Sequence, residues 1–392
     1  MLGIALTFIA GLSLVIWIYL LGFRGGFWRC DQRLPARGTA LSDWPAVLAV
    51  VPARNEADVI ARSMTALLEQ DYPGPFAVIL VDDSSEDGTG DVARRLAATH
   101  PQGARLTVVP GGPLPAGWAG KMWAVHNGVR QADSADPAAP FLWLTDADIG
   151  HAPGVLRALV TKAETERLDL VSLMALLHCA TLWERLLIPA FVYFFQKLYP
   201  FPRVNRREDA LAGAAGGCML VRRAALQGMG GIQAIRAAVI DDCALARALK
   251  REGAIWLGLT EDVHSLRPYE GLGGIWRMVA RSAYDQLGYS PSALAGTVLG
   301  MAVIYLAPPL IALGWPWHGD TTAAILAATA WLIMAASYLP TLRLYRRPLP
   351  AALLLPIAGL LYNLMTVDSA VAYYRGRGAF WKGRAQAPQR TP

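Results

Sequence analysis

The sequence predicts an α/β fold, with a doubly wound and mostly parallel sheet, flanked by N-terminal and C-terminal transmembrane helices. Three observations support this prediction. Short apolar runs alternate with amphipathic stretches between residues 47 and 290, as in βαβ units. Nearly continuous apolar runs lie on both sides of that region. Acidic residues follow the apolar runs, at the sheet edge where open α/β folds bind their ligands.

The composition is too apolar for an ordinary soluble enzyme, and the middle of the chain is too charged for a simple bundle of spans. The chain has 392 residues, of which 54% are hydrophobic, and its net charge is +6. The length suggests about two or three domains. Because the basic residues border apolar runs and form no nucleic-acid-binding motif, we expect them to flank a membrane and expect no nucleic-acid partner. These basic residues are Arg24, Arg29, Arg33, Arg37, Arg343, Arg346, Arg347, Arg375, Arg377, Lys382 and Arg384.

The N-terminal segment, residues 1–23, is long and apolar enough to cross a bilayer. No Lys or Arg precedes it, so we expect a retained signal anchor rather than a cleaved signal peptide. The basic juxtamembrane linker, residues 24–46, places the following domain in the cytoplasm by the positive-inside rule. We therefore predict a multi-pass protein of the cytoplasmic membrane, with the α/β domain, residues 47–290, on the cytoplasmic side.

The C-terminal membrane region, residues 291–374, contains two clear spans, at 294–313 and 322–339, and a weaker third segment that begins at Pro350 and contains Pro356. Three full spans would place the basic tail, residues 375–392, outside the cell, against the positive-inside rule. A re-entrant or interfacial last segment would remove the conflict. The sequence leaves these alternatives open.

Within the α/β domain, residues 47–290, five apolar runs predict strands and the stretches between them predict helices. The predicted strands are 47–52, 76–81, 105–109, 141–145 and 170–176. The aromatic-rich stretch 182–203 is either a buried helix or a helix lying in the bilayer interface. The four cysteines have no metal-ligand spacing, so we expect reduced thiols in a cytosolic domain.

Polar residues follow the first two predicted strands directly. Pro52, Arg54 and Glu56 lie in a loop beside the expected nucleotide crevice, although Glu56 could equally be a first-turn helix acid. Asp82 and Asp83 are adjacent carboxylates at a strand end, which are costly unless they bind a partner. They predict hydrogen bonds to a base or ribose, and the alternative is an Asp/Ser-rich turn.

The strongest predicted metal site is Asp146 with Asp148, directly after the strand that begins at Phe141. An Asp-x-Asp at a strand end directs both carboxylates to one side, which suits Mg²⁺ or Mn²⁺ shared with a diphosphate. Lys121 precedes a predicted helix and can meet a phosphate at the helix N-terminus, or it is a solvated lysine.

Asp241 and Asp242 open a short amphipathic helix. An N-cap role explains one of these acids but not both. A general base that removes the proton of an acceptor hydroxyl requires a carboxylate at such a position. A second candidate for this base is Asp262, which follows another strand-like run. Arg281 lies four residues after Arg277, so both are expected on one helix face, where Arg281 can hold a leaving diphosphate or contact the membrane surface.

Taken in order, these motifs resemble the family 2 glycosyltransferases, whose catalytic domain has the GT-A nucleotide-diphospho-sugar transferase fold. The motifs are Pro-Ala-Arg-Asn-Glu at 52–56, Val-Asp-Asp-Ser-Ser-x-Asp-Gly-Thr at 81–89, Asp-x-Asp at 146–148, Gly-Gly-Cys-Met-Leu-Val-Arg-Arg at 216–223 and Asp-Asp-x-x-Leu-Ala-x-x-Leu at 241–249. The layout is similar to that of processive synthases and ceramide glucosyltransferases, and most similar to the bacterial hopanoid biosynthesis-associated glycosyltransferases.

The resemblance implies a role for each motif. Pro52, Arg54, Glu56 and Asp82/Asp83 would hold the uridine end of a UDP-sugar. Asp146 and Asp148 would bind the metal and the diphosphate. The family's Glu-Asp pair falls on Asp241 and Asp242, with Asp242 as general base.

Two departures from the family pattern bear on the product. The catalytic pair is Asp-Asp rather than Glu-Asp, and the Gln-x-x-Arg-Trp motif keeps only its arginine, Arg281. Because processive enzymes use that tryptophan at the acceptor, a single transfer to a hydroxyl of a membrane lipid is favoured over polysaccharide synthesis. The alternatives are transfer to a polyprenyl phosphate, which needs no base, and a transporter with a nucleotide-sugar-sensing domain.

Overall fold

The computed structural model describes residues 1–34, 41–376, 380–381 and 384–385. Arg37, Arg377 and Lys382, which we counted among the membrane-flanking charges, lie outside the described residues, as does most of the predicted tail. The chain divides into two compact units. The helical unit comprises Met1–Cys30, Cys179–Pro202 and Tyr269–Arg377, and the sheet unit comprises Asp31–His178, Arg203–Pro268 and Gly378–Pro392.

The sheet unit is built on an eight-stranded mixed sheet in the order β3-β2-β1-β4-β7-β6-β8-β5. Its strands are β1 Val47–Ala53, β2 Phe76–Asp82, β3 Leu106–Pro110, β4 Phe141–Leu144, β5 Ile149–His151, β6 Leu170–Leu176, β7 Met219–Arg222 and β8 Ile255–Ser265. A separate two-residue pair, β9 Phe380–Trp381 and β10 Arg384–Ala385, is antiparallel.

The strand directions confirm an α/β fold with a parallel half. Strand β1 is parallel to β2 and to β4, and β2 is parallel to β3. Strand β7 is antiparallel to β4 and β6, so the sheet is mixed beyond β4. All seven residues of β1 are buried, as expected for a central strand covered on both faces. The chain passes to β2 on one side of β1 and to β4 on the other, which creates a crevice at their carboxyl ends.

Helices cover this sheet and connect its strands. They are α2 Ile60–Leu68, α3 Thr89–Thr99, α4 Gly120–Ala135, α5 Val155–Thr165, α8 Arg223–Gly228 and α9 Asp241–Lys250, with α7 Phe201–Val204 at the boundary between the units. Helix α4 packs very closely on β1, because a Cβ atom at Gly128 would lie 2.3 Å from Val50 Cγ1. The missing side chain at Gly128 therefore fixes α4 against the strand that leads into the crevice.

The helical unit contains the apolar ends of the chain. Its helices are α1 Leu2–Phe23, α6 Leu182–Leu198, α10 Gly271–Ala280, α11 Ala283–Gln286, α12 Pro291–Met301, α13 Ala307–Leu313, α14 Trp315–His318, α15 Thr321–Leu344 and α16 Leu355–Tyr374. A π-helical turn, Ala302–Leu306, joins α12 to α13, and a 3₁₀ segment, Leu349–Leu354, precedes α16.

Four helical segments are long and apolar enough to cross a membrane, judged by length and composition. They are Leu2–Phe23, Pro291–Leu313, Thr321–Leu344 and Leu349–Tyr374. Apolar helices at both ends of the chain are therefore confirmed. Pro356 does not interrupt the last segment, because it lies in the first turn of α16, where proline is compatible with a helix.

Helix α6, from the aromatic-rich stretch, packs inside the helical unit. A capping box begins it, with Thr181 Oγ1 accepting from Glu184 N and Glu184 Oε2 accepting from Thr181 N. Tyr193 is fully buried, and its hydroxyl lies 2.6 Å from Ser337 Oγ. The same helix exposes Leu182 at its start.

Candidate active site

Four of the predicted site residues, Pro52, Lys121, Asp146 and Asp241, line a crevice at the carboxyl ends of β1 and β4. Most of the side chains that line this crevice are apolar. Its polar and backbone lining comes from Pro52, Lys121, Asp146, Gly216 and Asp241. Residues from five separate chain segments therefore meet at the sheet edge where ligands bind in open α/β folds.

Hydrogen bonds fasten the loop after β1 to the loop after β2. Glu56 N donates to Thr89 Oγ1 (2.8 Å), and Asp87 accepts from Ala57 N (2.9 Å) and Thr89 N (3.0 Å). Although partial burial opposes it, these hydrogen bonds lower the pKa of Asp87. Arg54 Nη1 donates to the Ser84 carbonyl (3.0 Å). The two loops thus form one preorganised wall of the crevice.

The acidic pair after β2 divides into two different environments. Asp82 Oδ1 accepts from Ser85 N (3.1 Å), as in the turn that we considered as the alternative. Asp83 is fully buried, and a Cβ atom at Gly111 would lie 2.8 Å from its Oδ1. The roles of Asp82 and Asp83 toward a nucleotide remain predictions.

Lys121 joins the predicted metal site to Asp241, the neighbour of the predicted base Asp242. Its Nζ lies 2.9 Å from Asp146 Oδ1 and 3.0 Å from Asp241 Oδ2. Burial disfavours the charged amine, but the two carboxylates outweigh that effect and raise the pKa of Lys121. The lysine is therefore a permanent cation inside the crevice, rather than a solvated surface residue.

Asp242 is held next to this lysine by two backbone amides. Its Oδ2 accepts from Gly216 N (2.9 Å) and its Oδ1 from Cys243 N (2.7 Å). Burial and the neighbouring Asp241 raise the pKa of Asp242 to about 6, while Lys121 and the two amides oppose the rise. A carboxylate with a pKa just below neutrality is well suited to accept a proton at physiological pH.

Arg267 is a residue of the site that the sequence did not indicate. Its Nη2 donates to Glu56 Oε2 and to Asp58 Oδ1 (2.9 Å), and its Nε lies 3.9 Å from Asp148 Oδ2. It follows β8, more than two hundred residues after Glu56. No local pattern predicts such a long-range ion pair.

Asp148 has a raised pKa because it is buried and other carboxylates lie near it. Burial, Asp146 and Glu56 raise its pKa to about 6, and Arg267 opposes the rise. Among the described residues, no three His, Cys, Asp or Glu side chains are grouped as a metal site. Asp146 and Asp148 nevertheless fit Mg²⁺ or Mn²⁺, which prefer carboxylate oxygens and share their coordination with water and phosphate.

A buried hydrogen-bonded chain supports the backbone just before Asp146. Thr145 Oγ1 donates to the Gly217 carbonyl (2.8 Å) and lies 2.9 Å from His151 Nε2. Burial and His264 lower the pKa of His151 to about 3, so the ring is neutral at pH 7. The Thr145 hydroxyl donates its hydrogen bond to the Gly217 carbonyl, so its oxygen must accept the hydrogen bond from His151. The ring proton of His151 is therefore on Nε2.

Two candidates from the sequence remain, Asp262 and Arg281. Asp262 is within β8, where its carbonyl accepts from Ala152 N (2.7 Å) and its own N–H bonds Thr260 Oγ1 (2.9 Å). Arg281 belongs to the helical unit and directly follows the last residue of α10. The catalytic role of Arg281 remains a prediction.

Comparisons with known proteins agree with this geometry. Residues 48–230 match the family model "Glycosyl transferase family 2", so the chain contains a domain of that family. The chain is 35% identical over 60 residues to glycosyltransferase AglE of Haloferax volcanii, covering 15% of this chain and 20% of that protein. It is 31% identical over 77 residues to an N-acetylglucosaminyltransferase of Rhizobium leguminosarum bv. viciae, covering 19% and 18%. These matches span about a fifth of each relative.

A solved structure shares the fold over most of the chain. The mannosyltransferase PcManGT from Pyrobaculum calidifontis, in complex with GDP-Man and Mn²⁺, has a TM-score of 0.53 and 22% identity. The superposition covers 94% of this chain and 97% of that one. At this identity the likeness supports the fold alone.

The hydrogen bonds of the Thr145 hydroxyl predict an effect on stability. Replacing Thr145 with Val leaves the Gly217 carbonyl and the His151 Nε2–H without their partner, at a cost of about 1–3 kcal/mol. We expect a clear fall in the thermal unfolding temperature of the detergent-purified protein. Thr99→Val is the matched control, because the Thr99 hydroxyl is exposed and bonds only Arg95 O. Equal unfolding temperatures for the two variants would contradict the assignment.

Proposed function

We propose that this chain, which contains a glycosyl transferase family 2 domain, is a membrane-bound inverting glycosyltransferase. It transfers a sugar from a nucleotide-diphospho-sugar, a UDP-sugar by resemblance, to a hydroxyl group of a membrane lipid. The resemblance favours a hopanoid or another glycolipid as product. The observation that carries the proposal is the link from Asp146 through Lys121 to Asp241 and its neighbour Asp242.

Asp242 is the general base of the proposed reaction. Its carboxylate takes the proton of the acceptor hydroxyl while that oxygen attacks the anomeric carbon and the bond to the diphosphate breaks. The amides of Gly216 and Cys243 orient the carboxylate but leave acceptor capacity on both oxygens. Its pKa of about 6 keeps it ionised at pH 7.

Asp146 and Asp148 hold the divalent metal, which when bound neutralises the charge that develops on the leaving diphosphate. Lys121 adds a fixed positive charge in the same crevice. Such preorganised charge stabilises a transition state without reorganisation during the reaction. Arg281 is a further candidate for contact with the diphosphate.

A lipid acceptor is supported by the four helical segments of membrane-spanning length and composition. A chain that is embedded in the bilayer encounters lipid hydroxyl groups directly. The degenerate Gln-x-x-Arg-Trp motif also favours a single transfer over chain elongation.

The test is UDP release by the detergent-purified chain from a panel of UDP-sugars, with Mn²⁺ or Mg²⁺, and with or without bacterial lipid extract. We expect metal-dependent release that the lipid stimulates. Asp242→Asn should lower kcat about 10²- to 10⁴-fold, the usual contribution of a general base. Asp148→Asn should abolish the metal-dependent release, whereas Asp262→Asn should leave activity close to that of the native chain.

The variants Asp242→Asn and Asp262→Asn also distinguish the alternatives to this proposal. A polyprenyl phosphate is already anionic, so Asp242→Asn would retain most activity with such an acceptor. Loss of activity in Asp262→Asn instead of Asp242→Asn would move the base to β8. Transport of a labelled sugar nucleotide without turnover would overturn the transferase proposal.

The raised carboxylate pKa values predict an acid limb in the pH profile. Both Asp242 and Asp148 have a pKa of about 6, and both must be deprotonated to act. The value of kcat/KM should therefore rise between about pH 5 and 7 and level off above it. Asp242→Asn should make this limb shallower. A profile that stays flat down to pH 5 would contradict the role of these two carboxylates.

The helical unit supports a cytoplasmic-membrane location, and its internal contacts give the direction of each helix. Helices α1 and α15 run parallel, because Thr7 Oγ1 donates to Asp320 Oδ2 (3.1 Å) at their starts. Cys30 Sγ, shortly after α1, lies 3.5 Å from Thr341 Oγ1 near the end of α15. We call the face of the bundle at which α1 ends the Phe23 face.

The segment α12–α13 runs in the opposite direction. Near its end, Ile311 packs with Ala10 and Ala323, which lie close to the starts of α1 and α15. In its middle, the Ile304 carbonyl accepts from Trp17 Nε1 (3.0 Å). Its first residue, Pro291, therefore lies toward the Phe23 face.

The last segment leaves the Phe23 face and returns to it. Its 3₁₀ portion reaches the middle of α15, where the Leu353 carbonyl accepts from Trp331 Nε1 (3.3 Å). Helix α16 then descends antiparallel to α12, with Asn363 Nδ2 donating to the Val298 carbonyl (3.3 Å). At its end, Tyr373 stacks on Tyr289, with ring centroids 4.6 Å apart. We infer a re-entrant last segment and three full spans.

This topology removes the conflict in the charge pattern. Arg24, Arg343, Arg346, Arg347 and Arg375 then all lie toward the Phe23 face. By the positive-inside rule that face is cytoplasmic.

Reporter fusions to the full chain test the topology. A fluorescent protein fused after Pro392 should fold in the cytoplasm and fluoresce, and alkaline phosphatase at the same position should stay inactive. Alkaline phosphatase inserted at Gly319, in the turn before α15, should be active because that turn lies outside. Active phosphatase after Pro392 would show that the last segment spans the bilayer.

A further inference from the structure

Both carboxylates of the Asp146–Asp148 pair already face a cation of the chain itself. Lys121 Nζ lies 2.9 Å from Asp146 Oδ1, and Arg267 Nε lies 3.9 Å from Asp148 Oδ2. Each of these cations also has a carboxylate partner outside the pair. Lys121 also contacts Asp241, and Arg267 also contacts Glu56.

These contacts place two positive charges where a divalent cation must bind. An ion coordinated by Asp146 and Asp148 would meet Lys121 and Arg267 at short range in a largely desolvated crevice, where like charges repel strongly. Metal entry without any other ligand is therefore opposed. A diphosphate that arrives with the metal changes this balance, because its negative oxygens give both cations a new partner.

We propose that Lys121 and Arg267 are positioning residues that neutralise the metal carboxylates until the donor arrives. Both then turn from the carboxylates to the diphosphate as the metal binds. Metal and donor consequently bind weakly alone and tightly together, and each strengthens the other by the same factor. This inference rests on the proposed function, because it presumes a diphosphate donor and a metal at Asp146 and Asp148.

Arg267 is suited to this exchange by its chemistry and its position. A guanidinium group offers several donors in a planar fork that matches carboxylate and phosphate oxygens. Its side chain remains 34% exposed, so it has room to reorient toward a ligand. Its link to Glu56 connects it to the loop after β1, which the resemblance assigns to the nucleotide.

The experiment measures Mn²⁺ binding to the detergent-purified full chain by the electron paramagnetic resonance signal of free Mn²⁺, with and without UDP or GDP. In the native chain we expect the effective nucleotide to tighten Mn²⁺ binding by at least about five-fold, the lower end of typical coupling between sites. No catalytic turnover is required for this readout.

Removing either cation should have opposite effects on Mn²⁺ binding without nucleotide and on nucleotide binding in the presence of Mn²⁺. Lys121→Met and Arg267→Gln should tighten Mn²⁺ binding without nucleotide, each by about five-fold or more, because the carboxylates lose a competing charge. The same variants should bind the nucleotide more weakly in the presence of Mn²⁺. The tightening of Mn²⁺ binding by nucleotide should therefore shrink in both variants.

Two kinds of control accompany these variants. Lys121→Arg and Arg267→Lys keep the charge and should retain weak Mn²⁺ binding without nucleotide. Lys162→Met and Arg157→Gln remove cations that pair with Glu166 (2.6 Å) and Asp71 (2.8 Å) and that do not line the crevice. These two should bind Mn²⁺ as the native chain does. A misfolded variant cannot produce tighter binding, so a gain in affinity is informative in itself.

Unchanged or weaker Mn²⁺ binding in Lys121→Met and Arg267→Gln, in protein with a native unfolding transition, would overturn the inference. The proposed function would survive that result if the native chain still bound metal with nucleotide and turned over a donor. If the native chain bound neither Mn²⁺ nor a nucleotide, both the inference and the proposed function would be overturned.

Discussion

The ion pairs of Lys121 are the interaction on which the crevice depends. The fold brings carboxylates from three loops into one partly buried space, where they repel one another and lose hydration. The amine of Lys121 lies within 3.0 Å of Asp146 and Asp241 and so holds two of these loops together. Without it, Asp242 would be next to an uncompensated Asp241 and its pKa would rise further, since Lys121 opposes that rise. The base of the proposed reaction is therefore functional at neutral pH because a lysine on a different helix is in place.

The position of that lysine follows from the packing of one helix on one strand. Helix α4 approaches β1 closely because residue 128 has no side chain and Val50 occupies the space. The start of α4 then reaches the crevice between β1 and β4, where the strand order reverses. A mixed sheet beyond β4 does not disturb this arrangement, because β1 and β4 remain parallel. The parallel half of the sheet thus determines where the charged residues meet.

Strand-end position made most of the candidate site predictable from the sequence. Asp146, Asp148 and the loop after β1 follow buried apolar runs, and such runs determine which edge of the sheet a residue occupies. Arg267 was not predictable, because its partners lie far away in the chain and no local periodicity signals a long-range ion pair. The path of the last hydrophobic segment was also not predictable from the sequence. Hydropathy and the position of Pro356 cannot distinguish a span from a re-entrant segment, since both are apolar, whereas the hydrogen bond from Trp331 to the Leu353 carbonyl supports the re-entrant path that we propose.

The two units meet the same electrostatic requirement in different ways. In the sheet unit, carboxylates that must stay charged lie in a poorly solvated crevice, and the chain supplies Lys121 and Arg267 as counter-ions there. In the helical unit, the arginines that follow the apolar segments are proposed to lie at one face of the bundle. In that topology the last segment of 26 residues returns to its starting face, so Arg347 and Arg375 need not be separated by the bilayer. Counter-ions inside a crevice must be displaced or redirected when a charged ligand binds, whereas charges at a membrane face need not move. The conformational response to a donor should therefore be concentrated in the side chains around Asp146 and Asp148.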